Sequence, residues 1–463
     1  MSFPRPLIGL LVFLTFAAAG RAQTYTLAED PLINSYFQVD LEMELSGVIK
    51  VRQERANPDP KQKNPYDERT LRQTATARHQ FQERTLEASK TGLVDKSARK
   101  YLTAQAQFTS DKEKSEHILR AKRRFMIAHR FKDQGFVYCP DGILTREELE
   151  LTEHFDTLGL PGLLPARPVK VGDSWKPANA AVQTLLDLDG LVGQDLTCKL
   201  DKVEKELASV SVTGTASGIA LGAAVKMKVT ASYQFDLKAK HLTALTWKQN
   251  DEREQGPVSP AFQAEIVTTM KRTPIAPEDA EDLDDVRLIK VEPIPPQPLT
   301  RLLFAEPAGR YELVYERDWH IVGRSEQQLV MRLMDRGDFV AQLTITPWKK
   351  AAPGKHISEE EFKEAMSKTI GWEQEDTPEK GKEVPDPRTG YWIYQFGASG
   401  ALNGTKAVQY FYMVAGPQGD QVLMTFTMSP SQAAKLNTRD LPLVRGLTYS
   451  EKKEGEAPAE NQK

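Results

Sequence analysis

Residues 137–148 come closest to a metal-binding motif. Asp141, Gly142 and Glu148 occupy positions 5, 6 and 12 of an EF-hand loop, the calcium-binding arrangement. Positions 1 and 3 should supply oxygen ligands, but Val137 and Cys139 stand there. Too few oxygen ligands remain for calcium, and a turn at Asp141-Gly142 leading into a helix explains the same residues. We therefore expect no metal site and no cofactor.

A serine nucleophile would have to be Ser399. The surrounding residues 397–401 depart from the hydrolase pattern G-x-S-x-G, because Ala401 stands where the last glycine belongs. Asn403-Gly404 and a further strand pattern follow, which predicts a hairpin loop for Ser399 rather than the strand–turn–helix that the motif requires. The seven histidines form no H-E-x-x-H or H-x-H pair. We predict no catalytic residue; a hydrolase whose residues are scattered along the sequence is the alternative.

The first 22 residues have the pattern of a secretory signal peptide. Arg5 precedes an apolar run over residues 7–19, and the small residues Gly20 and Ala22 precede a plausible cleavage site before Gln23. The run is short for a membrane span, and no later run is long enough for one. We expect an exported protein, periplasmic or secreted, that is cleaved near Ala22.

Export makes the two cysteines informative. Cys139 and Cys198 form an even count, and an oxidising compartment favours a disulfide between them. Cys198 also shares an apolar strand phase with Leu196 and Leu200, so two buried thiols explain the sequence equally well. The sequence therefore allows either a disulfide or two buried free thiols.

A run of basic residues is the clearest candidate for contact with an anionic partner. These residues share the polar phase of a strand predicted over 117–132: Arg120, Lys122, Arg124, Arg130 and Lys132. Such a stripe suits an anionic lipid, a polysaccharide or another anionic partner. A solvated strand face is the simpler interpretation.

Length and composition indicate an ordinary globular protein of several domains. The chain has 463 residues, of which 40% are hydrophobic and 27% charged, and its net charge is −3. That length exceeds a single compact core and suggests two or three domains. The small net charge gives no overall attraction to nucleic acid.

The pattern of residues over 24–272 predicts a β-rich domain. Apolar and polar residues alternate over 37–45 and 225–235, as they do in strands with one buried face. Thr145 and Glu148 form a capping box that starts one short helix, and a second is predicted over 179–186. We expect a large curved antiparallel sheet or half-barrel with two short helices. Its small inward residues either leave room for a lipid-like ligand or seat the helices: Ala75, Ala77, Ala104 and Ala106.

A Pro-rich and acidic linker follows over residues 273–299, where proline stiffens the chain and charge keeps it solvated. Residues 300–449 then mix strand patterns with helix signals. The charged tail over 450–463 has the composition of a disordered segment.

The C-terminal third resembles the PsbP-like fold family. The matching pieces are residues 311–315 with Asp318-Trp319, the helix start at 357–362, and the strand at 421–427. The resemblance implies an α-β-α sandwich that serves binding or assembly, with no catalytic residues. The N-terminal domain is similar to uncharacterised exported bacterial β-rich proteins and, weakly, to half-barrel carriers of the LolA kind.

These features predict an α+β protein with two domains. We expect a non-enzymatic binding or interaction protein of the bacterial cell envelope, whose partner is an envelope protein or an apolar ligand. A periplasmic carrier of a lipid-like ligand is the leading alternative.

Overall fold

The computed structural model describes residues 23–29, 33–54, 66–89, 93–131, 134–153, 155–165 and 167–449. The predicted signal peptide, the C-terminal tail and Lys132 lie outside these residues. Antiparallel strands dominate, with 54% strand against 14% helix. The α+β class predicted from the sequence is therefore wrong, because the helices are too few and too short to form layers of their own.

The N-terminal unit is a 13-stranded antiparallel sheet in which the order along the main path is β6-β5-β3-β2-β1-β13-β12-β11-β10-β9-β7. β4 pairs with β3, and β8 pairs with β10. The strands are β1 (Tyr36–Glu54), β2 (Tyr66–Ala88), β3 (Val94–Ser110), β4 (Glu113–Ile118), β5 (Phe125–Phe131), β6 (Gln134–Tyr138), β7 (Ser174–Trp175), β8 (Gly190–Gln194), β9 (Thr197–Glu204), β10 (Leu207–Ala220), β11 (Ala223–Asp236), β12 (His241–Arg253) and β13 (Ala261–Pro274).

Alternation along the strands gives this sheet two different faces. The covered face carries buried side chains such as Leu41 and Trp247, and the helical segments pack on it. These segments are α1 (Arg146–Thr152), a 3₁₀ helix (Thr157–Leu163) and α2 (Asn179–Leu185). The predicted capping box of Thr145 and Glu148 is confirmed at the start of α1. The opposite, open face is mostly polar.

The helical segments are held to the covered face by polar and aromatic contacts. Tyr233 donates a hydrogen bond to the Leu163 carbonyl at 3.1 Å, and the rings of Phe155 and Trp247 lie 5.6 Å apart. The sheet and helices thus enclose one apolar core.

The segment after β13 packs along the open face instead of standing free in solvent. We call residues 275–300 the strap; it contains two 3₁₀ helices (Pro277–Asp279 and Gln297–Thr300) and α3 (Asp285–Leu288). Leu283 is fully buried in a small cluster with Phe125 and Ile127 of β5.

Ion pairs reinforce this contact. Arg84 pairs with Asp285 at 2.6 Å, and Lys100 pairs with Asp282. The acidic residues of the segment therefore neutralise bases of the sheet, an arrangement that composition alone does not indicate.

The C-terminal unit contains two antiparallel sheets. The smaller has the order β14-β15-β23 and the larger β16-β17-β18-β22-β21-β20-β19. Its elements are β14 (Leu302–Ala305), β15 (Glu312–Tyr315), β16 (Trp319–Arg324), β17 (Leu329–Asp335), β18 (Asp338–Pro347), α4 (Glu359–Ser367), β19 (Trp372–Glu383), β20 (Trp392–Leu402), β21 (Thr405–Ala415), β22 (Gln421–Met428), α5 (Ala433–Leu436), α6 (Asp440–Gly446) and β23 (Leu447–Thr448).

These helices contradict the predicted α-β-α sandwich. Ser358 caps α4 as predicted, but α4 has only nine residues, and α5 and α6 have four and seven. Elements of this length cannot cover a seven-stranded sheet. Residues 372–383, for which the sequence predicts no element, add a seventh strand to it.

The two units are in direct contact. Leu303 donates its backbone N–H to the Leu144 carbonyl at 2.8 Å, and the Arg317 guanidinium donates to the Val137 carbonyl at 2.7 Å. Buried apolar residues of both units belong to one continuous cluster. In the described residues, no helix is long and apolar enough to cross a membrane.

Candidate binding face

The covered face continues beyond the helical segments as a half-buried surface that is mostly apolar. Gln73 interrupts it opposite Gly47 and donates a hydrogen bond to Ser110. Strand register places Leu45 opposite both Ala75 of β2 and Ile266 of β13. Ile49 in turn lies opposite Leu71 and Phe262. We call this surface the apolar strip: Met43, Leu45, Ile49, Leu71, Ala75, Ala77, Phe108, Phe262 and Ile266.

Each member of the apolar strip keeps part of its surface in solvent. Phe108 is the most open, with 37% of its surface exposed. By contrast, Leu41, which lies two residues before Met43 on the same face of β1, is fully buried. From Met43 to Ile49 the strip extends about 20 Å, at ~3.3 Å per strand residue. It is long enough to accommodate an extended hydrocarbon chain.

A column of polar side chains on β12 borders the apolar strip. It begins at Trp247, whose indole N–H donates to the Gln249 amide oxygen at 2.9 Å. The Gln249 amide nitrogen then donates to both carboxylate oxygens of Asp251, at 3.1 and 3.0 Å. Arg253 ends the column, with its guanidinium 5.3 Å from the centre of the Phe262 ring. We call Gln249, Asp251 and Arg253 the polar column.

The four small residues identified in the sequence have two different environments. Ala75 and Ala77 are half-buried members of the apolar strip, whereas Ala104 and Ala106 are each only 4% exposed. The β3 positions fit the seating interpretation, since α1 packs against that strand. The β2 positions are the ones that a ligand can reach.

Both cysteines are free thiols. Cys139 and Cys198 are fully buried and carry no disulfide. Burial raises the pKa of Cys139 to about 11 and that of Cys198 to about 12, so both stay protonated and unreactive.

The basic residues do not lie along a single strand. β4 ends at Ile118 and a 3₁₀ helix (Ala121–Arg123) precedes β5, so the alternation that joined the residues is interrupted. Arg120 pairs with Glu148 of α1 at 2.5 Å. Lys122 is exposed, while Arg124 and Arg130 are half-buried.

The remaining candidates from the sequence lie apart from one another in the fold. Asp141 pairs with Arg287 of the strap at 2.5 Å. Ser399 lies inside β20, opposite Asp376 and Val408, and not in the hairpin loop that was predicted. Among the residues that the structure describes, no three His, Cys, Asp or Glu side chains are grouped so as to hold a metal ion.

The sequence does not identify the polar column, because the alternation of apolar and polar residues along β12 stops before it. Residues 248–254 are all polar, so neither phase of β12 looks buried from sequence. The detectable signal was that Gln249, Asp251 and Arg253 continue the phase of the apolar residues Leu245 and Trp247.

Comparison with known proteins adds a weak resemblance of fold and nothing more. No family model and no curated protein matches the chain. A solved structure from Bacteroides thetaiotaomicron is 13% identical over 33% of this chain and 49% of its own, with a TM-score of 0.21, so this chain spans about half its length. The cyanobacterial PsbP of Synechocystis is 9% identical, over 35% and 99% of the two chains, with a TM-score of 0.25. A lipovitellin structure is 6% identical, over 53% and 25%, with a TM-score of 0.29.

Proposed function

We propose that this protein is an exported, non-enzymatic binding protein of the bacterial cell envelope, and that its apolar strip holds the hydrocarbon part of a lipid-like ligand. The observation that carries the proposal is the half-buried state of the strip. Large exposed apolar patches, especially those with a polar rim, are rare on soluble proteins and mark sites of interaction.

The energetics favour an apolar occupant. Full burial of one aliphatic or aromatic side chain contributes about 1.5–3 kcal/mol, and the strip's half-buried members have realised only part of this gain. A hydrocarbon chain lying along β1, between the side chains of β2 and β13, would complete the burial of these side chains. The polar open face on the other side of the same strands offers no such surface.

Native mass spectrometry tests the proposal on the mature protein purified without detergent from its own envelope fraction. The expected result is a mass excess that matches a lipid. In the double variant Leu45→Gln/Leu71→Gln this excess should fall at least about tenfold. The matched control is Thr76→Gln, which changes an exposed residue of the open face on the same strand β2 and should retain the ligand. A bare mass for the wild-type protein, with no uptake from added vesicles, overturns the proposal.

A further inference from the structure

Asp251 is a buried carboxylate that forms no ion pair with any residue in the described part of the chain. Only 7% of its surface is exposed, and its described hydrogen bonds come from the Gln249 amide alone. No ion pair among the described residues includes it. Burying a carboxylate without a charged partner destabilises the folded state. A residue that is buried in this way and stabilises no other contact is a candidate for ligand binding.

Arg253 is a positively charged residue that likewise forms no described ion pair. It points to the same face of β12 two residues further on, about 6.6 Å along the strand. Its Nε atom is buried without a hydrogen-bond partner in the described part of the chain, and no ion pair there includes its guanidinium. The two opposite charges therefore lie close enough to influence each other, but no described ion pair joins them.

The polar column faces the apolar strip across small residues. Asp251 lies opposite Ala264 of β13, which lies opposite Gly47 of β1. A Cβ atom at Gly47 would come within 2.6 Å of the Ala264 Cβ atom, so the two backbones approach closely here. Between Asp251 and the strip there is accordingly little side-chain bulk.

We propose that the apolar strip and the polar column together bind a zwitterionic phospholipid, with its ammonium group at Asp251 and its phosphate at Arg253. This inference rests on the proposed function, because it assigns the head group of the ligand whose chains occupy the strip. Phosphoethanolamine carries both charges on one short linker, so it can satisfy both side chains at once. An anionic lipid would leave Asp251 unpaired and repel it.

The test offers the delipidated mature protein an equimolar mixture of phosphatidylethanolamine and phosphatidylglycerol vesicles. The protein is recovered and its bound lipids are quantified by mass spectrometry. We expect at least about tenfold enrichment of phosphatidylethanolamine in the wild type. Asp251→Asn should bind the two lipids in near-equal amounts, because only the ammonium contact is lost.

Two controls separate the site from general effects. Glu252→Gln changes the neighbouring, exposed residue on the open face and should keep the wild-type enrichment. The lipid is altered as well: N-acetylation of phosphatidylethanolamine removes its positive charge and should abolish the enrichment in the wild-type protein, whatever the folding of the variants.

The outcomes distinguish the two proposals. Uptake of both lipids without preference by the wild type overturns the zwitterion assignment and leaves the apolar-ligand function intact. Uptake of neither lipid overturns both. Enrichment that survives N-acetylation contradicts the role of Asp251.

Discussion

Arg99 and Glu83 face each other across strands β3 and β2, with the Arg99 Nε atom 2.8 Å from the Glu83 Oε1 atom. Arg99 is fully buried and Glu83 is 3% exposed. Arg99 also pairs with Asp156, next to the 3₁₀ helix that packs on the covered face. Burial alone would raise the pKa of Glu83, but the guanidinium groups of Arg99 and Arg272 keep it lowered. One cation thus ties the helical segments to the sheet.

We predict that Arg99→Met destabilises the protein by about 3–5 kcal/mol, because it removes the cation that the buried Glu83 and the partly buried Asp156 share. Urea unfolding followed by circular dichroism measures the change. The matched control is Arg78→Met, which removes an exposed pair with Glu42 at 3.7 Å and should cost under about 1 kcal/mol. Equal losses in the two variants would contradict this account.

Asp251→Asn is predicted to stabilise the protein at neutral pH. Burial raises the pKa of Asp251 to about 6 from an ordinary value of 3.8, against smaller lowering effects of Gln249 and Arg253. The folded state therefore holds a proton more tightly than the unfolded state, and wild-type stability falls as pH rises from about 4 to about 6. The variant escapes this loss and should gain up to about 3 kcal/mol at pH 7.5.

The free energy of unfolding, measured at several pH values between 4 and 8, checks this prediction. The advantage of Asp251→Asn should shrink as the pH falls and vanish near pH 4. A variant that is less stable than the wild type at pH 7.5 would show that the Asp251 carboxylate contributes to the fold itself. A gain in stability together with lost head-group preference is the pattern of a residue kept for binding.

Leu283 is the fully buried side chain of the strap. Leu283→Ala should lose about 2–5 kcal/mol of stability or release the strap locally, since Leu283 fills the cluster beside Phe125. Tryptic cleavage after Arg287 and Lys290 should accelerate in this variant. Ile289→Ala, at a position 84% exposed, is the control and should leave the cleavage rate unchanged. An unchanged rate in Leu283→Ala would contradict the role of the cluster.

Gly47 is predicted to admit no side chain. A Cβ atom there would collide with the Gln263 carbonyl oxygen and with Ala264 of the neighbouring strand. Gly47→Ala should therefore cost about 1–3 kcal/mol through overpacking. Gly193→Ala provides the comparison, because nothing lies within 4 Å of its added methyl group. The melting temperatures of the two variants decide the point, and equal values would refute it.

Local patterns were enough to find many elements but not their assembly. Alternation located the strand over 225–235, and the Thr145–Glu148 capping box located α1, because both signals reside in neighbouring residues. The burial of Leu283 against β5 depends on residues far apart in sequence, so local composition predicts a solvated segment there instead. Irregular pairing hid β19, whose register to β20 shifts repeatedly.

The candidate site shows the same division. Ala75 and Ala77 were identified from their strand phase, because small inward residues are visible in the sequence. Asp251 and Arg253 were missed, since a polar residue in a buried phase resembles one on a solvated face until the partner strands are known. The contrast between half-buried and buried positions on one face depends on what covers the sheet.

The pairing of β1 with β13 has a consequence for how the chain matures. Phe37 lies opposite Pro274, so the first and last strands of the N-terminal unit meet in the interior of its sheet. A growing chain that has not yet produced β13 exposes the unpaired edges of β1 and β12, and such edges are templates for pairing with other chains. Premature termination before Ala261 should consequently yield an aggregating fragment rather than a smaller stable protein.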